Sequence, residues 1–587
     1  MTAKFEQITR FIKDLPENSL EDALTYLSTL DPVVFAGFYR KVKGWPLAFD
    51  YSKHLIPEEL LKIQKANPSK QAYEREKKGR LLRHRPFLID PLRDDHPHKV
   101  YEKSRQVGIS ELSLTEVIWF LYVHGGKWVI AFPRDTQLKD FSNTRISEAF
   151  KESKRLSALL TGTDQTYSKK IGNGYLLLRS AWESNLGEGI DADGVTLDEK
   201  DRMKVGIEIA FWESLQSSKF GWKREISTPT VPNRGIDIPF KLSDQRIWLV
   251  RCVTCNLEQE IEYPTNIQQQ IDFPQGTKEL PEGAYEFVCR KELCRGPLNR
   301  LKGRWVARYP DKVQVRGYHI TQLIAPWITA TDVMQRKIRY KHFQLFSDYV
   351  LGSPAKGENI LLSDDDIDAI SCNYGLFTRR TDDWEDVSVG IDWGHLNWVV
   401  VKARNRHNNK PYVIGLAVRE DNYSRELDSV KEIDQYIEPF QPDIICADHG
   451  YGKDRNTYLA RKYPNFFAVT YNPSTKSSKT FKPQFIESSS RVIIDRTSSL
   501  KTYCRAIQDL EFGIPSLELE LVKTYQKHLL ALAPLKHMEE GQEDNENAEI
   551  TEEITSTGPD HFAHAGLFSY LGLDRLLGTN GFDFEFL

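Results

Sequence analysis

Apolar and polar residues follow a helical period at the start of this chain, and the period changes downstream. To about residue 80, the apolar positions of FEQITRFIKDL and SLEDALTYLSTL recur at helical spacing, and Pro16, Pro32, Pro46 and Pro57 cut the stretch into short amphipathic helices. From about residue 98 a short loop, KSRQVGIS, leads into a helix apolar on most faces, ELSLTEVIWFLYV, and then into the apolar run KWVIAF, which reads as a buried strand. Loop, helix and strand in that order predict an α/β layer around a parallel-type sheet. From residue 387 strand patterns return in VSVGID, WVVVKAR and YVIGLAV, followed by the helical ELDSVKEIDQYI and the apolar run DIICAD. Three strands, a helix and a further buried strand predict a second α/β sheet.

A length of 587 residues exceeds what one core organises and suggests about three or four units. The hydrophobic fraction of 40% argues for folded domains over disorder. No apolar run reaches the roughly 18 residues of a membrane span, and Lys and Glu interrupt every apolar stretch of the N-terminus, so neither membrane anchoring nor secretion is expected. A net charge of −4 supplies no global attraction to nucleic acid, which leaves that task to local patches. Residues 65–85 form one such patch, with Lys77, Lys78, Arg80, Arg83 and Arg85; the alternative is an ordinary solvated helix face. Glu539, Glu540, Glu543, Asp544 and Glu546 crowd residues 538–558, a pattern of a mobile loop or an exposed hairpin.

The loop Lys103-Ser104-Arg105-Gln106-Val107-Gly108-Ile109-Ser110 stands where a Walker A loop would, directly before the apolar helix. It departs from G-x-x-x-x-G-K-[ST] twice, with Lys103 at the first Gly position and Ile109 at the Lys position. The chemistry of phosphate binding is still present: Gly108 for close backbone approach, Ser110 as a magnesium-binding hydroxyl, and Lys103 as an ammonium arriving from the upstream end. Downstream, Gly194-Val195-Thr196-Leu197-Asp198-Glu199 reads as a Walker B strand, with Asp198 in the Mg²⁺ shell and Glu199 polarising water. Ile226-Ser227-Thr228-Pro229-Thr230 is a hydroxyl-rich strand end suited to sensing the γ-phosphate.

Of seven cysteines, Cys252, Cys255, Cys289 and Cys294 form two close pairs, separated by the strand-like EQEIEY, a loop and YEFV. Two hairpin-borne pairs suit a Cys₄ zinc ribbon of structural type; unligated thiols are the alternative. Cys372, Cys446 and Cys504 stand alone and read as core residues. In the C-terminal part, Asp392 ends VGID, Asp448 ends IICAD, and Asp560 precedes the helical HFAHA. Three hard oxygen donors at one sheet edge can hold two Mg²⁺ or Mn²⁺ ions for phosphodiester cleavage. His449, His561 and His564 flank these acids, either to tune the site or to cap helices, and capping is the expectation for at least two.

In order along the chain, SRQVG before a helix, the strand with FPRDTQ, the Leu-Asp-Glu pair and Ser-Thr-Pro-Thr resemble the ATPase of tailed-phage terminase large subunits, and the displaced lysine resembles their lambda-like branch. The Cys-rich stretch, RGYHITQLIAPWI and the segment 346–352 also resemble that branch, and Asp392, Asp448 and Asp560 match the acidic triad of terminase nucleases. The resemblance covers about residues 85–575. It implies ATP as cofactor, the lysine role for Lys103, a phosphate-contacting or trigger role for Arg105, and a coupling role for Ser227, Thr228 and Pro229. It further implies double-stranded DNA, a portal on the procapsid and a small terminase subunit as partners, a ring of subunits, and work in the host cytoplasm during virion assembly.

The expected architecture is α/β: an N-terminal helical segment (1–84), a P-loop ATPase with lid (85–355) carrying a zinc-ribbon-like insert (250–297), a linker (356–384) and an RNase H-like nuclease (385–587). Two rival readings stand beside it: a helicase or repair nuclease, for which no convincing further motif set is visible, and a zinc-bearing DNA-binding scaffold whose ATPase decayed at Ile109. The aromatic tail, residues 581–587, is a candidate partner hook.

Overall fold

The computed structural model describes residues 17–67, 69–181, 190–203, 206–274, 276–340, 342–354, 361–420, 426–472, 482–538 and 550–578. The helix expected in FEQITRFIKDL, the acidic residues 539–546 and the aromatic tail lie outside them. Length alone suggested three or four units, but the chain forms two, residues 1–355 and 356–587. The reason is visible in the first unit, where the Cys-rich stretch continues the main sheet instead of closing a core of its own.

That sheet has eleven strands. Its centre comprises β1 (His98–Lys103), β2 (Gly126–Phe132), β3 (Gly174–Ser180), β4 (Gly194–Asp198), β5 (Trp222–Ser227), β6 (Arg246–Cys252) and, after β7 (Leu298–Ala307), β8 (Arg316–Ile320). In space the order is β6-β8-β1-β5-β4-β2-β3 with every neighbouring pair parallel. Parallel strands are covered on both faces, which is why Val100, Val129, Ile130, Val195, Leu197 and Ile226 are fully buried. Antiparallel strands extend both edges, β7 among them, paired with β6.

The helix Ile109–His124 follows β1 and buries Leu112, Leu114, Val117, Ile118 and Leu121. An ionic knot ties it to the sheet: Glu116 on the helix takes Lys99 Nζ of β1 at 2.7 Å and Arg224 Nη2 of β5 at 3.0 Å. Three charged groups tolerate burial here because each finds a partner, and removing one would strand the others. Of the prolines expected to punctuate this region, Pro32 and Pro57 each sit in the first turn of a helix, whereas Pro46 lies in a short strand, Trp45–Pro46.

In the second unit β9 (Trp384–Asp392), β10 (Leu396–Asn405) and β11 (Pro411–Glu420) form an antiparallel meander. β12 (Ile444–Asp448), β13 (Phe466–Tyr471) and β14 (Arg491–Ile494) then add in parallel, giving the order β11-β10-β9-β12-β13-β14. The helix His561–Leu577 lies across β9, so close that a Cβ on Gly390 would sit 1.9 Å from the Ala565 carbonyl oxygen. Ser388 and Ser569 exchange hydrogen bonds across that contact. β15 (Leu532–Met538) and β16 (Ile550–Ser556) pair antiparallel on either side of the acidic stretch, which itself lies outside the described residues. Cys446 and Cys504 are buried in the core as expected, whereas Cys372 is only half-buried.

Candidate functional site

The first candidate site lies at the C-terminal ends of the parallel strands. β1 ends at Lys103, and the loop turns through left-handed conformations at Gln106 (φ 57°) and Gly108 (φ 98°) before the helix starts at Ile109. Gly108 is required there, because a side chain would be strained at that φ and would collide with Arg85 Nη1 and Leu88. Ile109 is 2% exposed and belongs to the core. The ammonium comes instead from Lys103, whose Nζ lies 2.8 Å from Glu199 Oε1 and 3.2 Å from Thr228 Oγ1. Topology makes this possible: β5, which carries Ser227, is inserted between β1 and the Asp198 strand β4, so three stretches separated in sequence end side by side.

The acid pair is electrostatically split. Burial first, then the charge of Glu199, pushes Asp198 up to about 6. Burial opposes ionisation of Glu199 as well, but the Lys103 ammonium and Arg202 outweigh it and draw that carboxylate down to about 2. Glu199 also holds a left-handed backbone (φ 58°), an uncommon conformation for a non-glycine residue that is often found at functional positions. Ser227 Oγ accepts from the Asp201 amide at 3.1 Å, linking the strand end to the turn after Glu199.

Several supports of this loop are absent from the sequence reading. Ser104 N–H donates to Ile320 O at 2.8 Å, Gln322 donates to Arg105 O at 2.9 Å, and the Arg105 guanidinium stacks 3.7 Å from the Tyr349 ring centroid. Gly352 packs so tightly that a Cβ there would meet Ser104 N at 2.5 Å. Arg85, expected in the basic surface patch, instead turns its guanidinium onto Trp327 at 4.2 Å beside Gly108. The rest of that patch follows the helix Lys70–Arg83, which has no buried residue.

The four paired cysteines converge. Their sulfurs all lie within 4.8 Å of one another, with Cys252–Cys294 and Cys255–Cys289 at 3.7 Å. Tetrahedral zinc with Zn–S near 2.3 Å requires sulfur separations of about 3.8 Å, whereas a disulfide requires about 2 Å. The donor set therefore fits zinc. Cys252 ends β6 opposite Leu298 of β7, and Gln259 Nε2 donates to Cys289 Sγ at 3.2 Å while Asn266 holds the Gln259 side chain. The expected EQEIEY strand shortens to Glu258–Gln259, and Tyr285–Phe287 pairs with Ile267–Gln269.

The second unit holds the carboxylates. Gly390 and Ile391 pair with Cys446 and Ala447, so Asp392 and Asp448 end adjacent parallel strands, and Asp560 stands at the start of the helix that covers β9. Burial, with Asp392, Asp448 and Asp560 each adding its charge, raises the nearby Tyr471 hydroxyl well above its ordinary range. Among the described residues the cysteines alone form a cluster with all ligand atoms within 4.8 Å, and the three carboxylates do not. Three oxygen donors of this kind suit Mg²⁺ or Mn²⁺. Burial, with Asp392 adding its charge, raises Asp448 above the usual range. Asp560 goes the other way, to about 2, because His564, Arg496 and His561 outweigh its burial.

Capping is the role expected for at least two of the three histidines, but their observed partners are side chains. His561 Nδ1 lies 2.8 Å from Asp392 Oδ2, stacked on Trp398, and His564 Nε2 lies 3.2 Å from Asp560 Oδ2. His449 faces Arg491.

Residues 78–297 match the family described as phage terminase large subunit gpA, ATPase domain. No curated protein matches the chain. Among solved structures it is similar to the HK97 bacteriophage large terminase (10% identity over 83% of this chain and 94% of that one, TM-score 0.47) and to the large terminase of the thermophilic bacteriophage D6E (11%, 82% and 94%, TM-score 0.28). The nuclease domain of the Thermus phage P74-26 large terminase is similar to a shorter part (12%, 35% and 92%, TM-score 0.22).

Proposed function

We propose that this chain, which carries a phage terminase large-subunit ATPase domain over residues 78–297, drives double-stranded viral DNA into a procapsid at the expense of ATP and cuts concatemeric DNA at its C-terminal site. The observation that carries the motor reading is the bridge from Lys103 to both Glu199 and Thr228. One ammonium touches the group that would activate water and the strand end that would sense phosphate loss.

In this reading the loop amides and Lys103 hold the β- and γ-phosphates, and Ser110 with Asp198 would hold Mg²⁺, which screens phosphate charge when bound. An incoming phosphate competes with Glu199 for Lys103. Once released from Lys103, whose charge holds its pKa down, Glu199 becomes a stronger base that orients water and accepts its proton. Thr228 loses its lysine partner in the same event, and the Ser227–Pro229 strand end passes that change onward. Arg105, stacked on Tyr349, is the trigger that joins the loop to the 346–352 segment.

At the second site Asp392, Asp448 and Asp560 would hold the Mg²⁺ or Mn²⁺ pair, which supplies Lewis acidity for phosphodiester hydrolysis. The Cys₄ centre takes a structural zinc, since four thiolates leave no open position for water. Portal, small terminase subunit and a ring of copies in the host cytoplasm are the partners and setting that such a motor requires.

DNA-stimulated ATP hydrolysis is the test. Lys103→Ala should cut turnover by about 100-fold or more, the scale of removing one preorganised charge from a transition state. Absence of turnover in both wild type and variant would favour the zinc-bearing scaffold instead.

A further inference from the structure

Asp560 occupies the N-cap position of the helix His561–Leu577, where an aspartate ordinarily accepts a hydrogen bond from the helix's own first-turn amides. Here it makes no capping bond. The Phe562 amide, a natural partner for that cap, instead donates to Nδ1 of His528 at 3.1 Å. His528 is 5% exposed, and burial together with the nearby His561 lowers it to about 4, so its ring is neutral and Nδ1 is free to accept. With the helix end served by a histidine from another element, the Asp560 carboxylate, 17% exposed, finds its partners elsewhere.

What it meets there is a second arranged group. His564, one turn along the same helix, points Nε2 at Asp560 Oδ2, 3.2 Å away, and its Nδ1 is hydrogen-bonded to the hydroxyl of Tyr471 at the end of β13. The two ring nitrogens of His564 are thus held from opposite sides, one by the tyrosine hydroxyl and one by the carboxylate. Arg496 Nη2 stands farther off, 3.5 Å from both Asp560 Oδ2 and His564 Nε2, while its Nη1 donates to Ile554 O of β16. Asp392 has His561 and Asp448 has the Tyr451 amide; among the described residues Asp560 is the one of the three acids seen held by a two-residue chain ending in a half-buried tyrosine.

We propose that His528, Tyr471 and His564 are positioning residues of the nuclease site: His528 relieves Asp560 of helix capping, and Tyr471 acting through His564 fixes the freed carboxylate as a ligand for a divalent cation. The proposal rests on the nuclease reading. Partners that orient a ligating carboxylate commonly contribute about 10- to 100-fold to metal affinity or activity.

The experiment uses the full chain without nucleotide. Mn²⁺ binding is measured by calorimetry and plasmid cleavage as a function of Mn²⁺ concentration, for wild type, Tyr471→Phe and His528→Phe, with resistance of residues 356–587 to limited proteolysis as a check on folding of that unit. Tyr471→Phe removes one oxygen. It should weaken Mn²⁺ binding about 10- to 100-fold and shift the Mn²⁺ dependence of cleavage by the same factor, with the rate restored at high Mn²⁺. His528→Phe should act in the same direction, as Asp560 returns to the helix end. A Tyr471→Phe protein that binds Mn²⁺ within twofold of wild type, with an unshifted cleavage curve, overturns the proposal. If wild type neither binds Mn²⁺ in a manner lost in Asp448→Asn nor cuts DNA, the nuclease reading itself fails.

Discussion

Ile109 occupies the position that a strict phosphate-binding pattern reserves for lysine, and it is buried. The side chain at that position packs into the core beneath the helix, while an ammonium rising from the end of β1 reaches the same acids. Lys103, Glu199 and Thr228 were legible in the sequence because each sits at a strand end with a distinctive neighbourhood. Tyr349, Gln322 and Gly352 were not, since their contacts with the loop depend on long-range packing that no local spacing encodes. Asp201 shows what burial does to a carboxylate here: it is raised from 3.8 to about 6, even though Thr230 and the Ile236 amide hydrogen-bond to it. A raised folded value means its contribution to stability is complete below 3.8 and lost as pH climbs through about 6. Asp201→Asn keeps an acceptor but cannot ionise, so its melting temperature should fall less than that of wild type across this interval; parallel curves would sink the assignment.

At the scale of elements, the two cysteine pairs were readable from spacing, but their convergence was produced by strand pairing. β6 delivers Cys252 opposite Leu298, and the bridge between Val288 and Pro297 brings the second pair alongside. The strand expected over EQEIEY is mostly irregular because only Glu258 and Gln259 find ladder partners on β6. Metal analysis of the purified chain should find about one zinc per molecule, the stoichiometry of a closed Cys₄ site. Cys289→Ser should lose that zinc and melt at lower temperature, whereas four freely titrating thiols in the wild type would refute the ribbon. The acids of the second unit follow the same logic, with parallel register placing Asp392 and Asp448 side by side and a helix returning Asp560 from far along the chain.

Across the molecule, the two proposed chemistries fall in separate compact units. Asp392→Ala should therefore abolish metal-dependent cutting and leave DNA-stimulated ATP turnover within about twofold, since domains with their own cores act as independent structures. Loss of both activities in a folded variant would contradict that division. By itself the sequence determined the α/β class, the order of the strands along the chain and the identities of the acids, the lysine and the four cysteines, because period, charge and spacing are local properties that burial and hydrogen bonding impose residue by residue. Only the tertiary structure decided which strand stands between β1 and β4, which side chains hold the loop, that Arg85 leaves the surface, and that His528 and Tyr471 serve Asp560. Those contacts join residues far apart in the chain, and they exist only where sheet order and helix packing bring the partners within hydrogen-bond reach.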